Sequence, residues 1–380
     1  MKGLYICVGQ NLDDKSSGIT NKILNQIEVM KKNNFEVDII NISNSTNFID
    51  KIKFFLPGIL SDYQKRQINC IDKYDINKYQ FVYIRKPVLS KAFIILLKRI
   101  KEQNHNIKVI MEIPTYPVYG EYKGVRKLLV INSIITSKKI SRYVDRIVTY
   151  SNDNIIWGVK TIRISNCVNF SKIVPKKDNV NEDEINVIAV ALFSHWHGYD
   201  RFIKGMYEYY KKGGKRKINL HLVGDSEVLN EYREKVSCYK LNDNVIFYGK
   251  KYGEELDKIY DTCDLALDAL GRHRSGVYYN SSLKGKEYCA KGLPIISGVK
   301  TELDYNKEYS YYLRVDADES DIDMLDIIEF YDKIYNSNKT RKDIINFIRS
   351  YSEEYFDFKN GFNPIINYIN NVQSVTEENK

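Results

Sequence analysis

Three quarters of the way along the chain stands Ser281-Ser282-Leu283-Lys284-Gly285-Lys286-Glu287-Tyr288-Cys289-Ala290-Lys291-Gly292-Leu293-Pro294-Ile295-Ile296. Ser281 and Ser282 make a polar cap, and Gly292 with Pro294 closes a helix over 283–290 before an apolar strand. Lys284 and Glu287 are spaced to share one face of the first turns. Amides at a helix N-terminus favour anions, and a lysine there adds a full charge. A carboxylate one turn further on can chelate two vicinal hydroxyls. An anion binder beside a diol binder reads as a site for a nucleotide diphosphate and its ribose.

Around that motif strands and helices alternate. The periodicity predicts strands over 185–192, 218–223, 245–248, 265–269 and 294–297, with helices over 199–211, 227–235 and 254–262 between them. An earlier set has strands over 3–8, 36–41, 81–84, 109–112 and 146–150. Its helices cover 19–32, with Ile23, Ile27 and Met30 on one face, then 92–103 and 128–143. Such alternation argues an α/β chain with parallel sheets covered on both faces. A chain of 380 residues with 43% hydrophobic content divides naturally into two cores. The polar run 175–184 reads as the linker, giving domains at 1–174 and 185–350. Late helices are expected over 322–335 and 340–351.

The pattern Leu283-Lys284-x-x-Glu287-x-x-Ala290-x-Gly292-Leu293-Pro294 resembles the donor motif of retaining glycosyltransferases of the large bacterial surface-polysaccharide family, also called group 1 or family 4-like. The resemblance covers most of the chain and is strongest over 185–296. It implies the GT-B fold, two Rossmann-like α/β domains whose parallel sheets face each other across a cleft. The first would bind a glycan or lipid-linked acceptor and the second a sugar nucleotide. Segment 351–372 would return to the first domain. Ile164-Ser165-Asn166-Cys167-Val168-Asn169 resembles the family's Asn-Gly-Val-Asp element, with Cys and Asn in place of Gly and Asp.

In open α/β sheets ligands bind beyond the carboxyl ends of the strands. In the second half this rule selects Gly249 and Lys250, the Ser281–Ser282 cap, and Gly271-Arg272-His273-Arg274-Ser275-Gly276. Arg274 beside Lys284 would neutralise a leaving diphosphate without a metal. The rule also selects Ser194-His195-Trp196-His197-Gly198, where relatives carry Lys or Arg at the position of His197. Relatives also carry a glutamate eight positions before Glu287; this chain has Tyr279. In the first half, Gly18 follows Ser17 at a turn where backbone can approach phosphates closely. Glu112 and Glu121 flank an aromatic loop with Tyr116 that suits a sugar acceptor.

Charge is uneven. Residues 51–150 hold 20 basic and 7 acidic side chains. Lys51, Lys53, Lys65 and Arg66 surround Phe54 and Phe55, a pattern suited to an anionic membrane surface as much as to a solvated face. No nucleic-acid-binding motif stands out, so no nucleic-acid partner is expected. The six cysteines are scattered singly, with no C-x-x-C pair, so no zinc site is expected. No cofactor or metal is expected; Asp316-x-Asp318 and Asp321-x-Asp323 read as a solvated acidic turn. The chain lacks the dinucleotide fingerprint and the Walker lysine. No window reaches membrane-span length, and 1–8 is too short for a signal segment, so a cytoplasmic location is expected, at most peripheral at the inner face of the membrane. Alternative readings are a non-catalytic glycan- or nucleotide-binding protein and a sugar-nucleotide epimerase of the same architecture.

Overall fold

The computed structural model describes residues 1–13, 17–42, 50, 53, 61–85, 89–117, 136–178, 181, 183–306 and 308–370. By their contacts they form two units. One is Met1–Ser165 with the described residues from Phe358 on, the other Asn166–Asp357.

The first unit is built on β1 (Lys2–Val8), α1 (Gly18–Lys32), β2 (Glu36–Ile42), α2 (Asp62–Asn69), β3 (Phe81–Arg85), α3 (Lys91–Gln103), β4 (Lys108–Ile113), β5 (Arg146–Thr149), β6 (Ile155–Ile156) and β7 (Val159–Arg163). The sheet order is β2-β1-β3-β4-β5-β7-β6, parallel except for the β6–β7 pair. Ile23, Ile27 and Met30 of α1 are buried as their spacing predicts. Each such side chain contributes roughly 1.5–3 kcal/mol of burial. The β6–β7 hairpin is not foreseen by the alternation. Its two-residue turn is Trp157-Gly158, both left-handed at φ 50° and 77°, the backbone that a tight hairpin requires. A bulky Trp at such a position gives no turn signal in sequence. Half of the helix expected over 128–143, residues 128–135, lies outside the described residues, and in the described half the chain turns at 138–139 and makes only a short 3-10 turn at Ile140–Arg142.

The second unit holds β8 (Glu184–Leu192), α4 (Tyr199–Lys211), β9 (Lys217–Asp225), α5 (Val228–Cys238), β10 (Val245–Gly249), α6 (Gly253–Asp261), β11 (Leu265–Leu267), α7 (Leu283–Lys291), β12 (Ile295–Ser297), β13 (Tyr312–Arg314), α8 (Met324–Tyr335) and α9 (Arg341–Phe356). Its six strands are all parallel in the order β10-β9-β8-β11-β12-β13. Strand β13, too short to show a pattern in sequence, completes the edge.

Residues 166–174, read from the sequence as the end of the first domain, pack with the second unit. Phe170 is fully buried in its core, and the Val168 amide donates to the Phe356 carbonyl at 3.0 Å. Two short helices follow, α10 (Phe358–Gly361) and α11 (Asn363–Ile369). They belong to the first unit, where Lys108 Nζ donates to the carbonyls of Tyr368 and Ile369 at 2.9 and 2.8 Å. A cation at a helix C-terminus satisfies carbonyls that have no intrahelical donor.

Candidate functional site

The donor helix is α7. Ser282 caps it, accepting from the Gly285 amide at 3.3 Å while its hydroxyl donates to Asp268 Oδ1 at 2.8 Å. Gly292 ends it at φ 82°, and a Cβ there would stand 2.5 Å from Ile345 of α9, so only glycine both turns and fits. Ser281 is a tie within the unit rather than a ligand contact. Its hydroxyl accepts from the Asn166 amide at 2.8 Å and donates to Glu302 at 2.7 Å, which also pairs with the buried Lys286. Asn166 thus anchors the start of the donor helix.

Glu287 is half-buried, and among the described residues no hydrogen bond reaches its carboxylate. Burial pushes its pKa up to about 7, against the opposing pull of Lys284 and Lys291. A carboxylate placed without partners on a strand-end helix is a group waiting for donors, which ribose hydroxyls can supply. On the same face Lys284 Nζ lies 2.8 Å from His197 Nε2. Burial lowers the pKa of both groups, and Arg272 lowers both further.

His197 ends the loop after β8. Its ring stacks on Tyr199 at 5.6 Å and 7° and meets Phe193 edge-on. Its Nδ1 accepts from the Ser194 amide at 2.9 Å. The next residue, Gly198, is left-handed at φ 68°. The loop after β11 comes up against it backbone to backbone, with the Leu270 amide donating to the His197 carbonyl at 2.7 Å. An imidazole suits this aromatic, buried position, where a lysine or arginine would lie within a packed cluster.

The structure reassigns Arg274. Its guanidinium forks onto Asp200 at 2.8 and 3.0 Å, pairs with Glu319 at 2.6 Å, and donates to the His195 carbonyl at 2.9 Å. Those partners occupy its donors, so it ties the loop to the first turn of α4 instead of offering a cation for phosphate. His273 likewise meets Glu319 at 2.6 Å. The cation that acts electrostatically on Lys284 and His197 is Arg272, buried, with its guanidinium 5.9 Å from the Trp196 ring.

In the first unit Glu112 is fully buried at the end of β4, not presented to an acceptor. Oε1 accepts from Arg85 at 2.8 Å and Tyr150 at 2.9 Å, with Lys22 Nζ 3.4 Å away. Oε2 accepts from Tyr83 at 2.7 Å and Gln26 at 2.9 Å. Burial alone would raise its pKa, but Arg85 and then Lys22, with these donors, hold it at about 2. A carboxylate leaves water only when so surrounded. Tyr116 packs edge-on against Trp157 at 6.1 Å. Gly18 starts α1 behind its cap Ser17, which accepts from the Thr20 amide at 3.3 Å. Glu121 lies outside the described residues, as do Lys51, Phe54 and Phe55. Lys53, Lys65 and Arg66 are exposed, Lys65 paired with Asp62 at 3.3 Å.

Comparison with known proteins decides the architecture. Residues 171–272 match the family model of glycosyl transferases group 1, a match that ends before α7. Sucrose-phosphate synthase from Thermosynechococcus elongatus is similar in structure, with a TM-score of 0.69 at 15% identity over 98% of each chain. Anabaena Alr3699/HepE in complex with UDP and glucose gives 0.63 at 10% over 98% of this chain and all of that one. The lipopolysaccharide outer core galactosyltransferase WaaB gives 0.63 at 12% over 98% and 100%. No curated protein sequence matches.

The chain has the GT-B fold. The resemblance of the chain to group 1 glycosyl transferases therefore holds at the level of family model, over residues 171–272, and of fold. Within this GT-B chain Gly249 ends the edge strand β10 at φ 67° with open space around it, and Lys250 pairs loosely with Asp225 at 3.7 Å. Tyr279 sits on the loop that runs beside Lys300 after β12, its ring 6.3 Å from Tyr305. Three of the late acidic residues of the GT-B second unit are individually engaged. Asp318 accepts from the Ser320 amide at 2.9 Å, Asp321 meets Lys204 at 3.0 Å, and Asp323 caps α8. Sequence reasoning missed Asp268, buried just past β11, which the strand-end rule could have selected. It also ranked Arg274 above Arg272, because nothing in the order of two nearby arginines tells which one meets carboxylates.

Proposed function

We propose that the chain is a glycosyltransferase that moves a sugar, with retention, from a sugar nucleotide to a glycan or lipid-linked glycan in surface-polysaccharide synthesis, at the inner face of the membrane and without a metal. The observation that carries this reading is the half-buried Glu287 carboxylate, without a hydrogen-bond partner among the described residues, one turn from Lys284 at the start of α7. Glu287 would take the ribose hydroxyls. Lys284, with the α7 amides and the field of Arg272, would take the diphosphate as charge grows on it during departure of the sugar. The UDP and glucose in the Anabaena HepE structure make UDP-sugars the first donors to try. Retention and the class of acceptor rest on the resemblance of the donor motif.

The test is release of nucleotide from UDP-, GDP- and ADP-sugars by the purified protein, with and without EDTA. Slow hydrolysis that an added glycan acceptor accelerates supports the reading. Loss of turnover in EDTA with recovery in magnesium refutes the metal-free part. Tyr279, standing where relatives carry a sugar-contacting glutamate, favours a second reading as a binding protein on the same fold. Tight nucleotide binding with no release from any donor would decide for that one.

A further inference from the structure

The contact between His197 and Lys284 carries information about protons. The Ser194 amide can only donate, and its acceptor is His197 Nδ1 at 2.9 Å. Nδ1 therefore bears no proton, and the neutral ring carries its proton on Nε2. That nitrogen stands 2.8 Å from Lys284 Nζ. An ammonium has three donors and no acceptor, so it would set N–H against N–H. The contact closes only when Lys284 is an amine that accepts from Nε2–H. The opposite arrangement, an ammonium donating to Nε2, needs the ring proton on Nδ1, where the Ser194 amide already points. The ring is held in place by its stack on Tyr199 and by the Leu270 amide on its own carbonyl.

Resting on the nucleotide reading above, we infer that His197 is a positioning residue that holds Lys284 as a neutral amine until a diphosphate arrives, so that nucleotide binding takes up a proton at Lys284. The balance is simple. The amine gains one proton from solvent and becomes an ammonium facing the phosphate. Nε2–H is released to donate to a phosphate oxygen. One part-buried pair that costs no unpaired charge in the empty site thereby supplies two donors in the occupied one. The surroundings agree. Burial opposes a proton on either group, as do Arg272 from the loop after β11 and, for His197, its neighbour His195. Asp268 at the end of β11 and Glu287 on α7 favour one on Lys284. A bound diphosphate adds its charge to the latter side.

Calorimetry with UDP, GDP and ADP, in buffers of different ionisation enthalpy at about pH 8, counts the protons. The wild type should take up about one proton more per nucleotide than His197→Gln, whose amide oxygen can accept from a lysine ammonium. Glu287 is common to both proteins, so its own titration cancels in the difference. Wild-type affinity should fall by up to about tenfold per pH unit as the solution turns alkaline, and the variant's should not. Equal proton counts with binding retained would overturn the inference and leave the nucleotide reading standing. Failure of all three nucleotides to bind would overturn the nucleotide reading instead. Side-chain nitrogen NMR of the ligand-free wild type tests the inference without any nucleotide or variant. A proton on Nε2 alone supports it, and a proton on Nδ1 of His197 refutes it.

Discussion

Gly198 and Gly271 stand back to back: a Cβ on Gly198 would lie 2.5 Å from the Gly271 amide nitrogen. This approach brings the loop after β8, with His197, against the loop after β11, with Arg272. Both a left-handed φ of 68° and the facing backbone exclude a side chain there. Gly198→Ala should therefore lower stability by more than the ~1–2 kcal/mol of left-handed strain alone. Gly249→Ala, at φ 67° in open space, is the matched control that should show only that strain. Thermal unfolding of the two variants checks this, and equal losses would mean the loops can part at no cost.

Glu287 should trade stability for binding. Its carboxyl is raised from 4.5 to about 7 by burial, so between those values the folded chain holds more protons than the unfolded one. Stability must then fall as pH rises through that window, and stay reduced above it. Glu287→Gln removes the effect. It should gain on the order of 1–3 kcal/mol over wild type above pH 7, and nothing below 4.5. The same change should weaken nucleotide binding by about 1.5–3 kcal/mol. Denaturant melts across pH, with calorimetry, measure both; a variant no more stable at neutral pH would refute the buried-carboxylate account.

Glu112 should behave in the opposite sense. Its pKa is depressed to about 2, so the stability it contributes is complete above 4.5 and is lost as pH falls toward 2. Glu112→Gln should flatten that acid limb. At neutral pH it should cost about 3–5 kcal/mol, since Arg85 and Lys22 are left buried beside a neutral amide. Little change in acid unfolding midpoint would show that the cluster does not govern it.

Arg274→Lys should fail to restore what Arg274→Ala loses. The native fork meets Asp200 with two parallel bonds and Glu319 with a third contact, geometry that a single ammonium cannot reproduce. Both variants should lose roughly 1–3 kcal/mol of stability, with slower turnover through a displaced loop. Full activity in the Lys variant would return Arg274 to the role of a simple charge near phosphate.

Lys284→Ala should depress turnover more than ground-state nucleotide binding, because charge on the diphosphate grows as the sugar leaves. Single-turnover rates beside binding constants separate the two. Equal losses in both would place Lys284 in uniform binding only.

The alternating strands and helices, the start and end of α7, and the shared face of Lys284 and Glu287 are legible in local sequence. Periodicity, caps and glycines act within a few residues, and such short-range terms are written in the order of the chain. Which charges are already paired depends on the folded chain. Arg274 and Arg272 are equivalent to a reader of sequence, yet Asp200 and Glu319 come from distant segments to occupy the first. Glu112 reads in sequence as an acceptor carboxylate, yet Lys22, Gln26, Tyr83, Arg85 and Tyr150 converge on it from three separate segments. Whether a charged side chain is a ligand or a tie depends on partners that only the folded sheet brings within hydrogen-bond reach, and on the water that their packing removes.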